Sequence, residues 1–354
     1  MLSIIVNHLQ WYPSGYDVLA ARGTLYVSAA EGFFLLSGIV LGIVRGRKLL
    51  DQPFQKAATL LLKRGVLLYV TCVLLTMAFT FVGWWFFMDN PGIKPGIRPT
   101  SEPLGDVILG ILSFKYLYGW ADFLRLYAIF IVAAPFALWL IRKGLWYVLM
   151  LISAGLWLLF PWALENGQYS GEILMILSWQ FIFFAGFVIG FYWEKLTEKW
   201  AKLSTKTRRL ILYPILAIAT ITLIGNILIE FMHLLKILPS DLASWRSALA
   251  PYFSKTRLSI ARLVLFTLWF TLGFWLFKKF ERPIMKYAGW ILLPFGQNSL
   301  YVYILHAVFL FLAHMVIAPY ASPNPIISFI GTTLIIGVIY YATKKEFLFK
   351  VIPR

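Results

Sequence analysis

Charge is scarce in this chain, and what there is leans one way. Charged residues make up 13% of the 354 residues, against 60% hydrophobic and 18% aromatic, and the mean hydropathy is +0.78. So few charged groups cannot clothe an ordinary water-soluble domain, and that class is excluded. Acidic residues are the rarer sign, 15 against 32 basic, for a net charge of +17. The excess does not gather into a nucleic-acid-binding patch. It falls in short loops between apolar runs, as the charge rule for cytoplasmic loops of membrane proteins predicts, so no nucleic-acid partner is expected. Cysteine is nearly absent. A lone Cys72 excludes an intrachain disulfide and a cysteine-based metal site, no metal is expected, and its place in an apolar run suits packing. The N-terminus lacks the basic start of a cleavable leader. There is no P-loop, dinucleotide fingerprint, zincin pattern or Gly-x-Ser-x-Gly elbow, which argues against ATP-driven transport and serine-hydrolase chemistry. Without repeats, low-complexity tracts or a soluble segment, 1–354 reads as one transmembrane domain.

What the chain has instead is long apolar runs. They fall at 27–44, 57–88, 120–141, 145–164, 173–193, 210–236, 260–279, 287–318 and 326–343, each near or above the ~20 residues a helix needs to cross a bilayer. A stub at 1–9 makes ten. Its nine residues rise only about 14 Å as a helix, roughly half a hydrocarbon core, so the first helix reads as truncated at its N-terminal end. The pattern predicts an all-α, polytopic integral membrane protein with about ten transmembrane helices. The segment 104–118, with Asp106 and Lys115 among apolar residues, reads as an interfacial or re-entrant helix rather than a span. Pro294 and Gly296 should break or bend the 287–318 run. With the stub running outward, the inner loops hold 22 of the 32 basic residues, so both termini are expected in the cytoplasm. The outer connections carry Trp11, Tyr12, Trp162, Tyr169, Trp245 and Tyr252, rings suited to the headgroup level or to a saccharide.

Some polar groups sit where a membrane protein must justify them. Glu31 lies in the first turns of the 27–44 span, and a charge at that depth costs at least ~2.5 kcal/mol, so it should face a protein interior or a wet cavity with a partner. His8 is the candidate partner: an imidazole suits general-base work on a hydroxyl, and a carboxylate that orients it is a familiar arrangement in acyl transfer. Lys63 and Arg64, with Arg45, Arg47, Lys48 and Lys56, form a basic cluster at one inner mouth. The cluster satisfies the positive-inside rule, and it equally suits a clamp for the phosphates of a cytosolic cosubstrate. Trp179-Gln180 puts an amide in the apolar layer, where interhelical bonding is its usual use. Finally, the stretch from Gly296 to His306 concentrates Asn298, Ser299, Tyr303 and His306 beside a helix break. Asn298, Ser299 and Tyr303 are candidate donors to an oxyanion or to an acceptor. His306 joins that set, or else serves as a structural hydrogen-bonder.

Taken in order along the chain, these motifs resemble the OpgC proteins, glucan succinyltransferases grouped with the wider acyltransferase-3 superfamily of membrane O-acyltransferases. The resemblance is carried by Asn7-His8, by Ala29-Ala30-Glu31-Gly32-Phe33-Phe34-Leu35-Leu36-Ser37-Gly38, and by Lys63-Arg64 with Tyr69. Phe123-Leu124-Arg125-Leu126-Tyr127 with Pro135 and Leu138-Trp139-Leu140, Ser178 to Gly186 and Gly296 to His306 complete it. It implies transfer of a succinyl or acetyl group from cytosolic acyl-CoA to a glycan hydroxyl on the far side of a bacterial inner membrane, with no permanently bound cofactor. His8 would match the superfamily's essential first-span histidine, and Lys63-Arg64 its basic donor-binding residues. Two departures stand out. The arginine usually found eleven residues before that histidine would precede Met1, and Arg125 stands where a neutral residue is expected. The expected partners are thus membrane lipids, acyl-CoA and a glycan acceptor. A transporter or channel for a glycan or lipid-linked sugar is the alternative that uses the same intramembrane polar groups.

Overall fold

A computed structural model describes residues 1–167, 171–319, 321 and 324–352, and no strand occurs among them; Tyr169 and Arg354 lie outside the described residues. The helices run in the order α1 (Leu2–Leu9), α2 (Asp17–Ala20), α3 (Ala29–Leu41), α4 (Phe54–Phe86), α5 (Leu104–Leu112), α6 (Asp122–Arg142), α7 (Trp146–Asn166) and α8 (Gly171–Phe191). They continue with α9 (Trp193–Lys202), α10 (Thr205–Leu234), α11 (Ser240–Leu249), α12 (Ile260–Lys279), α13 (Glu281–Gln297), α14 (Ser299–Val316) and α15 (Pro325–Lys344). Nine helices among the described residues are long and apolar enough to cross a bilayer. With the eight-residue α1 they make up the all-α membrane architecture the runs predict. α5 has nine residues, too short to cross, and carries the exposed Asp106 in its first turn. The 287–318 run is two helices. Pro294 cannot donate to its own turn, and the chain leaves helical geometry at Asn298 (φ −113°, ψ 37°) before α14 starts.

Packing divides the chain into two compact units, one of Met1–Thr24, Tyr69–Arg125 and Phe277–Arg354, the other of Leu25–Leu68 and Leu126–Leu276. In the first, Ile5, Val6, Leu9 and Trp11 join Phe295, Tyr301, Val302, Leu305, Leu310, Ile336 and Ile339 in one buried cluster, so that α1 packs against α14 and α15. So short a helix has little cooperativity of its own. Side chains hold its end instead: the Tyr12 hydroxyl donates to the Val6 carbonyl (3.3 Å), and His314 Nε2–H donates to that of Leu9 (3.2 Å). Trp11 Nε1–H reaches the Ile317 carbonyl (3.2 Å).

In the second unit α3 lies against α8. Glycines at four-residue steps line both helices, and a Cβ on Gly38 or Gly42 would land on the carbonyls of Phe183 or Phe187, one on Gly186 or Gly190 on those of Leu35 or Ile39. Backbones that close exclude any side chain at the crossing, the geometry small residues allow between membrane helices. α3 continues into a π-helical turn, Gly42–Arg47. α7 meets α8 through the amide singled out in the sequence: Ser153 Oγ–H donates to Gln180 Oε1 (2.5 Å), and Gln180 Nε2 donates to the Ser153 carbonyl (2.7 Å). The irregular segment 253–258 follows α11. Its carbonyls accept bonds from Arg262, Trp179, Ser178 and Trp157, at Phe253 (3.1 Å), Lys255 (3.1 Å), Thr256 (2.8 Å) and Leu258 (3.0 Å) respectively. Irregular backbone is tolerated near lipid when its polar groups are met by protein in this way.

Candidate active site

The first unit holds the imidazoles. His8 sits in the last turn of α1, buried, and its Nδ1 lies 3.1 Å from Nε2 of His306 in α14. One ring comes from each end of the chain, with 298 positions between them. The His8 ring also stacks on Trp120, with centroids 4.3 Å apart and planes inclined by 13°. Trp120 reaches that position because Gly119 and Trp120 both take left-handed backbone (φ 71° and 63°) just before α6. At Gly119 a side chain would meet the Phe79 ring as well, so glycine alone fits there. The Tyr303 hydroxyl donates to the Trp120 carbonyl (2.6 Å) and fixes the turn. His306 is fully buried, its Nδ1 on the carbonyl of Tyr303 one helical turn earlier.

Three of the expected site residues, Glu31, Tyr303 and Asn298, have hydrogen-bond partners that their sequence positions do not announce. Glu31 was to orient His8; its carboxylate is instead held by its own helix end and by α12. Oε2 accepts from the Ser28 N–H (3.1 Å) and Oγ–H (2.7 Å), and Oε1 pairs with the Arg262 guanidinium, both partners being within the second unit. A carboxylate with both oxygens so engaged, 0% exposed, neutralises a buried arginine. The Tyr303 hydroxyl donates to the Trp120 carbonyl, as above. Asn298 donates through Nδ2 to the Pro294 carbonyl (3.1 Å) and closes the helix break. Asn298 and Ser299 precede His306 by eight and seven residues, Ser299 about 10 Å before it along α14. His306 is the hydrogen-bond partner of His8.

The basic pair lies on α4 in the second unit. Lys63 is exposed, whereas Arg64 is half-buried and within electrostatic reach of Arg45 and of Tyr127, which bonds to Ser37. Around them Arg142 donates to the carbonyls of Leu49 (2.5 Å) and Gln52 (3.0 Å), tying down the loop after α3, and Arg47 pairs with Glu194 (3.1 Å). Among the described residues no group of three or more His, Cys, Asp or Glu is arranged to hold a metal ion.

Three participants escaped the sequence reading. Arg262 and Glu230 are charges inside apolar runs, and the rule that marks Glu31 marks them equally. Glu230 is held by both nitrogens of an Arg246 fork (2.7 and 3.0 Å), a bond that raises the Arg246 guanidinium above its ordinary value. Trp120 carried no signal beyond Gly119 before it. Ser28-Ala29-Ala30-Glu31, by contrast, has the spacing of a helix-start capping box, which foretells the Ser28 bond.

No curated protein and no solved structure matches the chain. The family model of the OpgC protein matches residues 1–346. A match over nearly all of the 354 residues shows the family, and the chain belongs to the OpgC family.

Proposed function

We propose that this protein is a membrane O-acyltransferase that moves a succinyl or acetyl group from cytosolic acyl-CoA to a hydroxyl of a periplasmic or cell-surface glycan, as the acyltransferase-3 resemblance implies. OpgC membership supports the glucan acceptor class. The observation that carries the reading is the buried imidazole of His8, bonded through Nδ1 to His306 and laid on the face of Trp120. His8 Nε2 takes the glycan hydroxyl proton as that oxygen attacks the thioester carbonyl carbon. The C–O bond forms, the C–S bond breaks, and the leaving CoA thiolate receives the proton from His8. The imidazolium formed in between lies over an indole face, which favours a cation by about 0.5 to 2 kcal/mol. Arg64 and Arg45, two cations drawn together, favour an anion between them, and with Lys63 they are the proposed grip on the CoA phosphates. The acceptor then arrives from the opposite side of the inner membrane.

The test is transfer of labelled acyl groups from acyl-CoA to glucan by purified protein in nanodiscs. His8→Ala should lower turnover at least a hundredfold, the usual scale for a general base, while the melting curve and elution profile stay those of the parent. Retained turnover would remove His8 from the mechanism.

A further inference from the structure

We infer that His306 is the positioning residue of this site, holding His8 in the tautomer whose Nε2 carries the lone pair; the inference rests on the acyl-transfer reading above. The argument begins at a backbone carbonyl. The Tyr303 oxygen can only accept, so His306 Nδ1, which bonds to it, must carry a hydrogen. His306 is 0% exposed within a membrane-spanning helix, where burial away from water disfavours a charged ring. A neutral ring already protonated at Nδ1 has a bare Nε2. That nitrogen faces His8 Nδ1 at 3.1 Å, and a contact of this length between two nitrogens needs one hydrogen. His8 must supply it. His8 is thereby protonated at Nδ1, and its Nε2 is the nitrogen that accepts a proton.

The polarity of the chain, His8 to His306 to the Tyr303 carbonyl, runs one way and is anchored in the α14 backbone. Nothing in it moves during turnover. When His8 Nε2 gains the hydroxyl proton, the Nδ1–H bond to His306 remains and becomes charge-assisted, hence stronger. His306 thus does with a neutral ring what a buried carboxylate does in a serine-protease triad, where loss of the orienting partner's acceptor leaves geometry intact but the wrong tautomer in place. Trp120 adds the orientation about the other axis, since its stacked face admits the His8 ring in one plane only. Glu31, the residue expected in this role, is engaged by Ser28 and Arg262.

The inference is tested first without turnover. In protein labelled with nitrogen-15 in the imidazoles and held in nanodiscs, the His8 signals, identified by their loss in His8→Asn, should show Nδ1 protonated and Nε2 bare. A coupling across the Nδ1–H bond to His306 Nε2 should accompany them. The opposite tautomer at His8 overturns the inference, whereas acyl transfer itself is judged by turnover in His8→Ala. Activity then separates positioning from packing. His306→Gln places an oxygen acceptor near the lost Nε2 and should keep kcat within about tenfold. His306→Leu offers no acceptor and should lower kcat by about 10²- to 10⁴-fold with little change in KM for the glycan. Equal kcat in the two variants, at equal folded yield, would overturn it. Failure of the function itself reads out elsewhere, as full activity in His8→Ala.

Discussion

At residue scale, the most exacting partnership is Glu31 with Arg262. Both are almost wholly buried, at 0% and 4% exposure, and each would be a stranded charge without the other. Removing one member of such a pair costs about 3 to 5 kcal/mol because the survivor stays buried and uncompensated, whereas replacing both with apolar groups can be nearly neutral. Arg262→Met is therefore expected to lower the stability of the detergent-solubilised protein by that amount, and Glu31→Gln added to it should recover most of the loss. Chemical denaturation of the single and double variants measures this. A double variant no more stable than the single one would show that the two side chains act independently. The same logic explains what could be read from sequence here. A carboxylate in an apolar run announces that a partner exists, but its identity is a tertiary fact: Arg262 is 231 positions away in the sequence.

At element scale, the α3–α8 crossing governs the second unit. Gly38 faces the Phe183 carbonyl so closely that one methyl group forces the helices apart. Gly38→Ala should cost about 1 to 3 kcal/mol, the usual penalty of overpacking. Gly225→Ala, in α10 with open space around it, should be neutral or stabilise by up to about 1 kcal/mol through helix propensity. Thermal melts of the two alanine variants decide the matter, and equal melting points would remove the crossing from its role. Elements were the level most legible in the sequence. Long runs mark the spans because lipid demands length and apolarity of every one; Pro294 marks the split between α13 and α14; Gln180 marks the α7–α8 contact because a buried amide must be bonded. The glycine steps at 38, 42, 186 and 190 were equally open to reading, since their spacing is the signature of close helix approach. Trp120 was not, because the left-handed turn that delivers it depends on room beside Phe79 that only folding creates.

At the scale of the whole molecule, charge sets orientation. Basic residues cluster in 45–64, 142–143, 195–209, 278–286 and 344–354, and the positive-inside rule puts these on the cytoplasmic side. A fluorescent protein fused after the last residue should therefore light up, and alkaline phosphatase fused there should be inactive. Bright phosphatase colonies would invert the topology, and with it the side proposed for acyl-CoA. The two compact units were invisible in the sequence for a simple reason: three of their four boundaries fall inside α4, α6 and α12, where neither composition nor hydropathy changes.

The distance in sequence between Glu31 and Arg262 also constrains how the protein is made. At about 5–20 residues per second, the ribosome needs roughly ten to fifty seconds to extend the chain over the 231 positions between them. Through that interval the acid is already synthesised and its counter-ion is not. α3 must wait at the translocon or be sheltered by another protein until α12 emerges. A chain broken off before α12 would leave a lone acid at bilayer depth, a chemical mark of incomplete synthesis written into the nascent polypeptide itself.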